Sequence, residues 1–306
     1  MIADDPNAGA ASAATRTGVT RRHVLAGGTA VFGLLTTSTV VYAAGIEAQG
    51  LIVTDYAPTL PNWPASRRLT ITVIADLHAG GPNMTVPHIR RIVDTANGLR
   101  SDLVVLLGDF IATHRFVDEH VPDPVWSAEL ARLSAPLGVW AILGNHDWWS
   151  DLDGVRGALA AARIPLLEND AVLLDAARGR FWLAGLGDQL AYRIGRGKFR
   201  GVDDLPGTLG KITSDDPVVL LAHEPDIFPK VPERVALTLA GHTHGGQIRL
   251  PLIWPAFVPS KFGARYAYGH VVERNRHLIV SGGLGTSGIP ARLGVPPEVV
   301  RVTLGA

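Results

Sequence analysis

Three observations predict a layered α/β fold. Apolar runs of strand length recur along the chain, amphipathic helical patterns lie between several of them, and polar residues collect where the runs end. The runs occupy Leu69 to Ala75, Leu103 to Leu107, Val139 to Leu143, Phe181 to Leu186, Val218 to Ala222, Val235 to Ala240 and Leu278 to Val280. Their near-continuous hydrophobicity is that of strands covered on both faces, and so many strands in one chain favour two sheets packed together inside helical layers. Ile89, Ile92, Val93, Ala96 and Leu99 repeat at i, i+3 and i+4, with Pro87 placed for a helix start. Leu152, Val155, Leu159 and Ala162 repeat that spacing.

The chain divides into three parts. Residues 1–46 contain Arg21-Arg22 followed, from His23 to Ile46, by a stretch without Asp, Glu, Lys or Arg. Paired arginines ahead of a moderately apolar, Gly- and Thr-rich run resemble a twin-arginine export signal, which implies the twin-arginine export machinery as a partner. The alternative is an N-terminal membrane anchor, since the apolar length is near the ~20 residues a spanning helix needs. Tyr42-Ala43-Ala44 offers a loose small-residue cleavage site, and both readings place the main domain outside the cytoplasm, in the periplasm or on the outer face of the membrane. Residues 47–68 read as a connecting strand (Leu51 to Tyr56) and a proline-rich segment, and residues 69–306 as the main domain.

Composition excludes several functions. Lys plus Arg and Asp plus Glu balance at 28 each, and there is no long basic stripe, so a stable nucleic-acid partner is not expected. The absence of cysteine removes disulfides, thiolate zinc sites and cysteine nucleophiles. A metal site here must use His, Asp, Glu or Asn.

Such residues stand at the ends of five strands. "ADLHAG" supplies Asp76 and His78, "LLGDF" Asp109, "LGNHDWW" Asn145, His146 and Asp147, "LLAHEP" His223, and "GHTHGGQI" His242 and His244. In layered α/β domains ligands gather at the carboxyl ends of strands. Taken singly, a strand-end Asp is a turn former or helix cap, Asn145 a left-handed turn residue and a buried His a satisfied core residue. Taken together they require a positive charge, because burying several imidazoles beside carboxylates is otherwise costly. Asp76, His78, Asp109, Asn145, His223, His242 and His244 are too many for one tetrahedral zinc and suit two adjacent ions, with Asp109 the candidate bridge. Two ions about 3.5–4 Å apart can share a hydroxide, which attacks in line and makes a protein nucleophile unnecessary.

The series D-L-H, G-D-F, G-N-H-D, H and G-H-T-H resembles the calcineurin-like metallophosphoesterase superfamily over roughly Thr70 to Val302. "GHTHGGQI" with "SGGLGTSGIPARLGVPPE", behind the twin-arginine-like leader, is similar to a branch of exported or membrane-associated bacterial phosphodiesterases, which includes relatives acting on a UDP-linked lipid A precursor. The resemblance implies a four-layer αββα sandwich of two mixed β-sheets and two divalent ions, manganese, iron or zinc. It also implies that Asp76, His78 and His244 hold the first ion, Asn145, His223 and His242 the second, and Asp109 both.

His146 is the expected proton donor to the leaving oxygen, and Asp147 is either its orienting partner or a helix cap. "YRIGRGKFRG" carries Arg193, Arg196 and Lys198, which either receive an anionic head group or form a solvated loop. "LPLIWPAFV" (250–258) either lines an acyl groove or packs against the body. The expected function is hydrolysis of phosphodiester or pyrophosphate bonds, with a lipid-linked or cell-envelope substrate in view. A phosphomonoesterase or nucleotidase, and a non-catalytic metal-stabilised binding module at the membrane, are the alternatives. A metallo-β-lactamase-like hydrolase is disfavoured, because the H-x-H-x-D-H cluster is absent.

Overall fold

The computed structural model describes residues 37–177, 179–249 and 257–305. The leader with Arg21-Arg22 and most of the segment 250–258 therefore lie outside the described residues. Two compact units divide the chain, Met1–Val41 and Tyr42–Ala306. Of the first, residues 37–41 are described and are helical. Among the described residues no helix is long and apolar enough to cross a membrane.

The second unit is built on two mixed sheets. One contains β1 (Ile52–Tyr56), β2 (Leu69–Ile74), β3 (Leu103–Leu106), β4 (Val139–Ala141) and β13 (Glu298–Leu304), in the order β1-β13-β2-β3-β4. The other contains β5 (Asp170–Ala176), β6 (Gly179–Gly185), β9 (Val218–Leu221), β10 (Val235–Ala240), β11 (Gly269–Glu273) and β12 (Arg276–Val280), in the order β11-β12-β10-β9-β6-β5. A separate hairpin joins β7 (Tyr192–Gly195) to β8 (Lys198–Arg200).

Alternation along the strands sorts the apolar side chains into three layers of core. Between the sheets, Ile71, Val73, Val105, Leu183, Val219 and Leu239 pack together. Outside the first sheet, Ile74, Val104 and Leu106 meet Ile89, Ile92 and Val93 of α1 (Val86–Gly98), Trp126 of α2 (Asp123–Leu130) and Val155 of α4 (Leu152–Ala161). Outside the second sheet, Ala184, Val218 and Leu220 meet Leu205 of α5 (Leu205–Gly210), Phe228 and Tyr266. Three cores between four layers give the αββα sandwich, although the fourth layer is thin: a six-residue helix and the 3₁₀ turns Pro225–Lys230 and Gly263–Tyr266.

The structure extends the domain toward the N-terminus. Leu51 to Tyr56 reads as a connecting strand, yet β1 pairs in parallel with β13 from Ile52↔Glu298 to Tyr56↔Val302 and so belongs to the first sheet. The turns before it are tied in as well, since Glu47 Oε1 accepts Val295 N–H at 2.9 Å and Ala43 O accepts Arg292 N–H at 2.9 Å.

Parallel neighbours position the site. β2, β3 and β4 run side by side, as do β9 and β10, so their carboxyl ends emerge together. α3 (Asn145–Trp149) begins immediately beyond β4.

Candidate metal centre

All seven expected ligands meet where these strand ends converge. Asp76, His78 and His244 have donor atoms within 4.8 Å of one another, and so do Asp109, His223 and His242. Each of these residues is buried, as is Asn145. Five are held in the left-handed region, with φ of 53° at Asp76, 45° at His78, 56° at Asp109, 69° at His242 and 51° at His244. Such a conformation is uncommon for residues with a Cβ and costs on the order of 1–3 kcal/mol each, so its concentration here marks a functional site. Two glycines permit the crowding. A Cβ at Gly108 would lie 2.3 Å from Gly144 N, and one at Gly144 would lie 2.4 Å from Asp109 Oδ1.

Hydrogen bonds fix which ring nitrogens face inward. His223 Nδ1 bonds Leu107 O at 2.6 Å and His78 Nδ1 bonds Ile111 O at 3.3 Å, leaving Nε2 of both rings for the centre. His242 does the reverse: its Nε2 bonds Pro259 O at 2.9 Å, freeing Nδ1. His78 Nε2 and His244 Nε2 face each other at 3.1 Å, about the separation of neighbouring corners of an octahedron with ~2.2 Å bonds. Asn145 Oδ1 is buried with no hydrogen-bond partner. An oxygen and nitrogen donor set containing an orphaned amide oxygen fits divalent ions of the manganese, iron or zinc type.

Electrostatics agree with that fit. Burial, together with the Asp109 charge, pushes Asp76 up to about 7. Burial would also raise Asp109, but His223 and His146 hold it well below the ordinary carboxylate range. Burial likewise disfavours charge on His223, yet the Asp109 carboxylate, 3.2 Å from its Nε2, raises it well above the usual imidazole range. Burial lowers His78 to about 3 and also lowers His242, His244 and His146, so these rings are neutral near pH 7.

His146 touches the cluster, a ring nitrogen lying within 4.8 Å of donor atoms of His78 and Asp109. Its backbone N–H donates to Asp109 Oδ1 at 2.8 Å, its Nδ1 contacts the Thr113 hydroxyl, and its Nε2 lies 3.5 Å from Ser287 Oγ. Of the two readings of Asp147, its hydrogen bonds are those of the helix cap. The two carboxylate oxygens of Asp147 accept the N–H groups of Asp109 (2.9 Å), Phe110 (2.8 Å) and Gly144 (2.9 Å), clasping two strand-end loops and capping α3. Arg193, Arg196 and Lys198 are separated by the fold. Arg193 lies 3.8 Å over the Trp149 ring, whereas Arg196 stands in the exposed turn of the β7–β8 hairpin and Lys198 directly after it.

Other residues join the site that the sequence reading did not single out. Arg292, fully buried, donates to Gly282 O and Gly285 O and places Nη2 3.2 Å from His244 Nδ1. Gln247 ties the "GHTH" loop to the loop around Ser287, donating to Ile289 O and Ala291 O and accepting from Ser287 N–H. Asp188 and Glu224 are buried near His223, and burial with the Glu224 charge raises Asp188 well above its usual range. The sequence signals available were the lone arginine in the otherwise uncharged "SGIPARLG" and the places of Glu224 and Gln247 inside "LLAHEP" and "GHTHGGQI".

Beside the cluster opens a pocket of about 540 Å³. Asn145, His146, His242 and His244 form one side, and Trp149, Ile248, Phe257, Pro259 and Ile289 contribute an apolar wall.

This fold and donor set define a metallophosphoesterase, a hydrolase of phosphoric esters. The chain belongs to the calcineurin-like phosphoesterase family, which matches residues 69–246. It is 32% identical over 224 residues to the uncharacterised metallophosphoesterase YkuE of Bacillus subtilis, covering 72% of this chain and 73% of that one. It is 31% identical over 209 residues to the phosphodiesterase YaeI of Escherichia coli, covering 67% and 71%. To a transmembrane protein with metallophosphoesterase domain from Danio rerio it is 30% identical over 280 residues. That match covers 89% of this chain but 61% of the relative.

Proposed function

We propose that the chain is a dinuclear-metal phosphoesterase that hydrolyses a phosphodiester or pyrophosphate bond in an amphiphilic substrate, such as a nucleotide-linked lipid of the cell envelope. The observation that carries this reading is the pocket: the donor cluster forms one wall and Trp149, Ile248, Phe257 and Ile289 another, so a phosphoryl group and an apolar chain fit side by side. The name of the Escherichia coli relative supports a diester as the bond cleaved.

Asp76, His78 and His244 would hold one ion, Asn145, His223 and His242 the other, with Asp109 between them. Such ions, when bound, supply Lewis acidity toward phosphoryl oxygens and a lowered water pKa. The chain's own contribution to leaving-group departure is His146. In the tautomer whose Nδ1 accepts from the Thr113 hydroxyl, the neutral ring carries its proton on Nε2, and the Asp109 bond to the His146 amide holds the ring at the pocket wall. The apolar wall excludes water from one side of the reacting group.

An extracytoplasmic location is inferred from Arg21-Arg22 and the uncharged stretch behind them, through twin-arginine export or an N-terminal anchor; the transmembrane relative supports a membrane setting. The test is hydrolysis of a chromogenic phosphodiester beside the matching monoester by metal-stripped protein resupplied with manganese or zinc. Metal-dependent cleavage favouring the diester is expected. Dominant monoester cleavage would replace this reading with a nucleotidase, and no cleavage by metal-loaded protein would replace it with a binding module.

A further inference from the structure

We propose that the β7–β8 hairpin is a docking element for an anionic lipid bilayer. Tyr192 pairs with Arg200 and Arg193 with Phe199, and the turn runs through Arg196 (φ 51°) and Gly197 (φ 69°), a tight reversal of the type that joins two-residue hairpins. Neither main sheet extends this ladder. An isolated hairpin is marginal in water and must be held by packing. Here the packing is confined to its root: Phe199 stacks on Trp149 at 5.3 Å, Tyr192 meets Trp148 edge-on at 5.3 Å, and Arg193 covers Trp149. Toward the tip, Ile194 is 57% exposed and Gly195 and Gly197 have nothing nearby.

Charge identifies the occupant. Residues 192–201 contain Arg193, Arg196, Lys198 and Arg200 and no acid. None of the four forms an ion pair among the described residues, whereas Arg90, Arg132, Arg265 and Arg301, also surface arginines, each meet a carboxylate. Cations without a carboxylate partner, interleaved with an exposed aliphatic and two aromatics, make an amphipathic surface suited to an anionic lipid headgroup layer. A polyanion such as RNA would use the cations but give Ile194 nothing to bury against. Trp149, at the hairpin root, also lines the pocket, where Phe257 is 75% and Ile289 45% exposed, so a docked hairpin brings the pocket to the lipid. This contact needs no metal and is independent of the reaction proposed above.

The test uses the chain begun at Tyr42, which keeps the whole compact unit with its three cores and omits the apolar leader. It is sedimented with vesicles of phosphatidylcholine, alone or mixed with phosphatidylglycerol, at low and high salt. Binding to the mixed vesicles that weakens with salt is expected. At about 1 kcal/mol per cation, Arg196→Gln combined with Lys198→Gln lowers partitioning roughly 30-fold. Ile194→Asp also lowers it, with the melting temperature and cleavage of a soluble ester unchanged. Failure of the parent to bind, equal binding to both vesicle types, or variants that bind like the parent would each overturn the proposal. Binding of RNA that survives Ile194→Asp, with no vesicle binding, would assign the hairpin to a polyanion and overturn it as well.

Discussion

Asp109 and Asp147 hold each other's loops: Asp147 Oδ2 accepts the Asp109 N–H at 2.9 Å, while Asp109 Oδ1 accepts the N–H of His146, the residue before Asp147, at 2.8 Å. The left-handed backbone at Asp109 is thereby pinned from α3. Asp147→Ala orphans the buried N–H groups of Asp109, Phe110 and Gly144, each costing about 1–3 kcal/mol. A stability loss of roughly 3 kcal/mol or more by urea denaturation is expected, with weakened metal binding. A variant as stable as the parent would show that water replaces the carboxylate.

His146→Ala should behave differently, because no ligand backbone depends on the imidazole. We expect stability and metal content near those of the parent, with turnover reduced about 10²- to 10⁴-fold. Metal analysis decides the point, since loss of one ion per chain would make His146 a ligand.

Metal affinity should fall as the medium is acidified. Asp76 is raised to about 7 and His223 is raised also, so below that range an incoming ion must displace protons from both. The sign is fixed by the direction of the shifts: affinity for manganese rises with pH through and beyond pH 7, because both groups give up protons to the ion, and it weakens by about tenfold or more per unit below pH 7. Titration calorimetry at pH 6 and pH 8 should show the difference together with proton release, and a pH-independent affinity would contradict it.

The turns ahead of β1 should contribute measurably to stability. Glu47 Oε1 accepts from Val295 and Ala43 O from Arg292, whose guanidinium stands against His244. A chain begun at Tyr42 is expected to melt like longer versions. A chain begun at Leu51, or Glu47→Ala, should lose about 1–3 kcal/mol. Equal melting of all three would remove this segment from the folded unit.

Much of the candidate donor cluster was legible because it is written locally. A run such as Val235 to Ala240 makes a buried strand by its composition alone, and the residues after it lie at the strand's carboxyl end wherever that strand sits. α1 was legible for the same reason, its apolar stripe and Pro87 being features of one contiguous segment. Strands of mixed polarity were not. β13, "EVVRVTL", comes after a proline-rich stretch and carries Arg301 and Thr303, and only its insertion between β1 and β2 makes it central.

Sequence alone therefore determined which side chains could ligate and which strands would present them, since period and run length are properties of neighbouring residues. The tertiary structure decided what each does beyond that. Asp147 faces backbone amides because β3 and β4 are adjacent, Arg292 reaches His244 across 48 positions, and Arg193 parts from Arg196 and Lys198 because it packs on Trp149 while they stand at the hairpin turn. These relationships depend on sheet order and loop closure, which arise when distant apolar faces pack together, and no short stretch of chain encodes that packing.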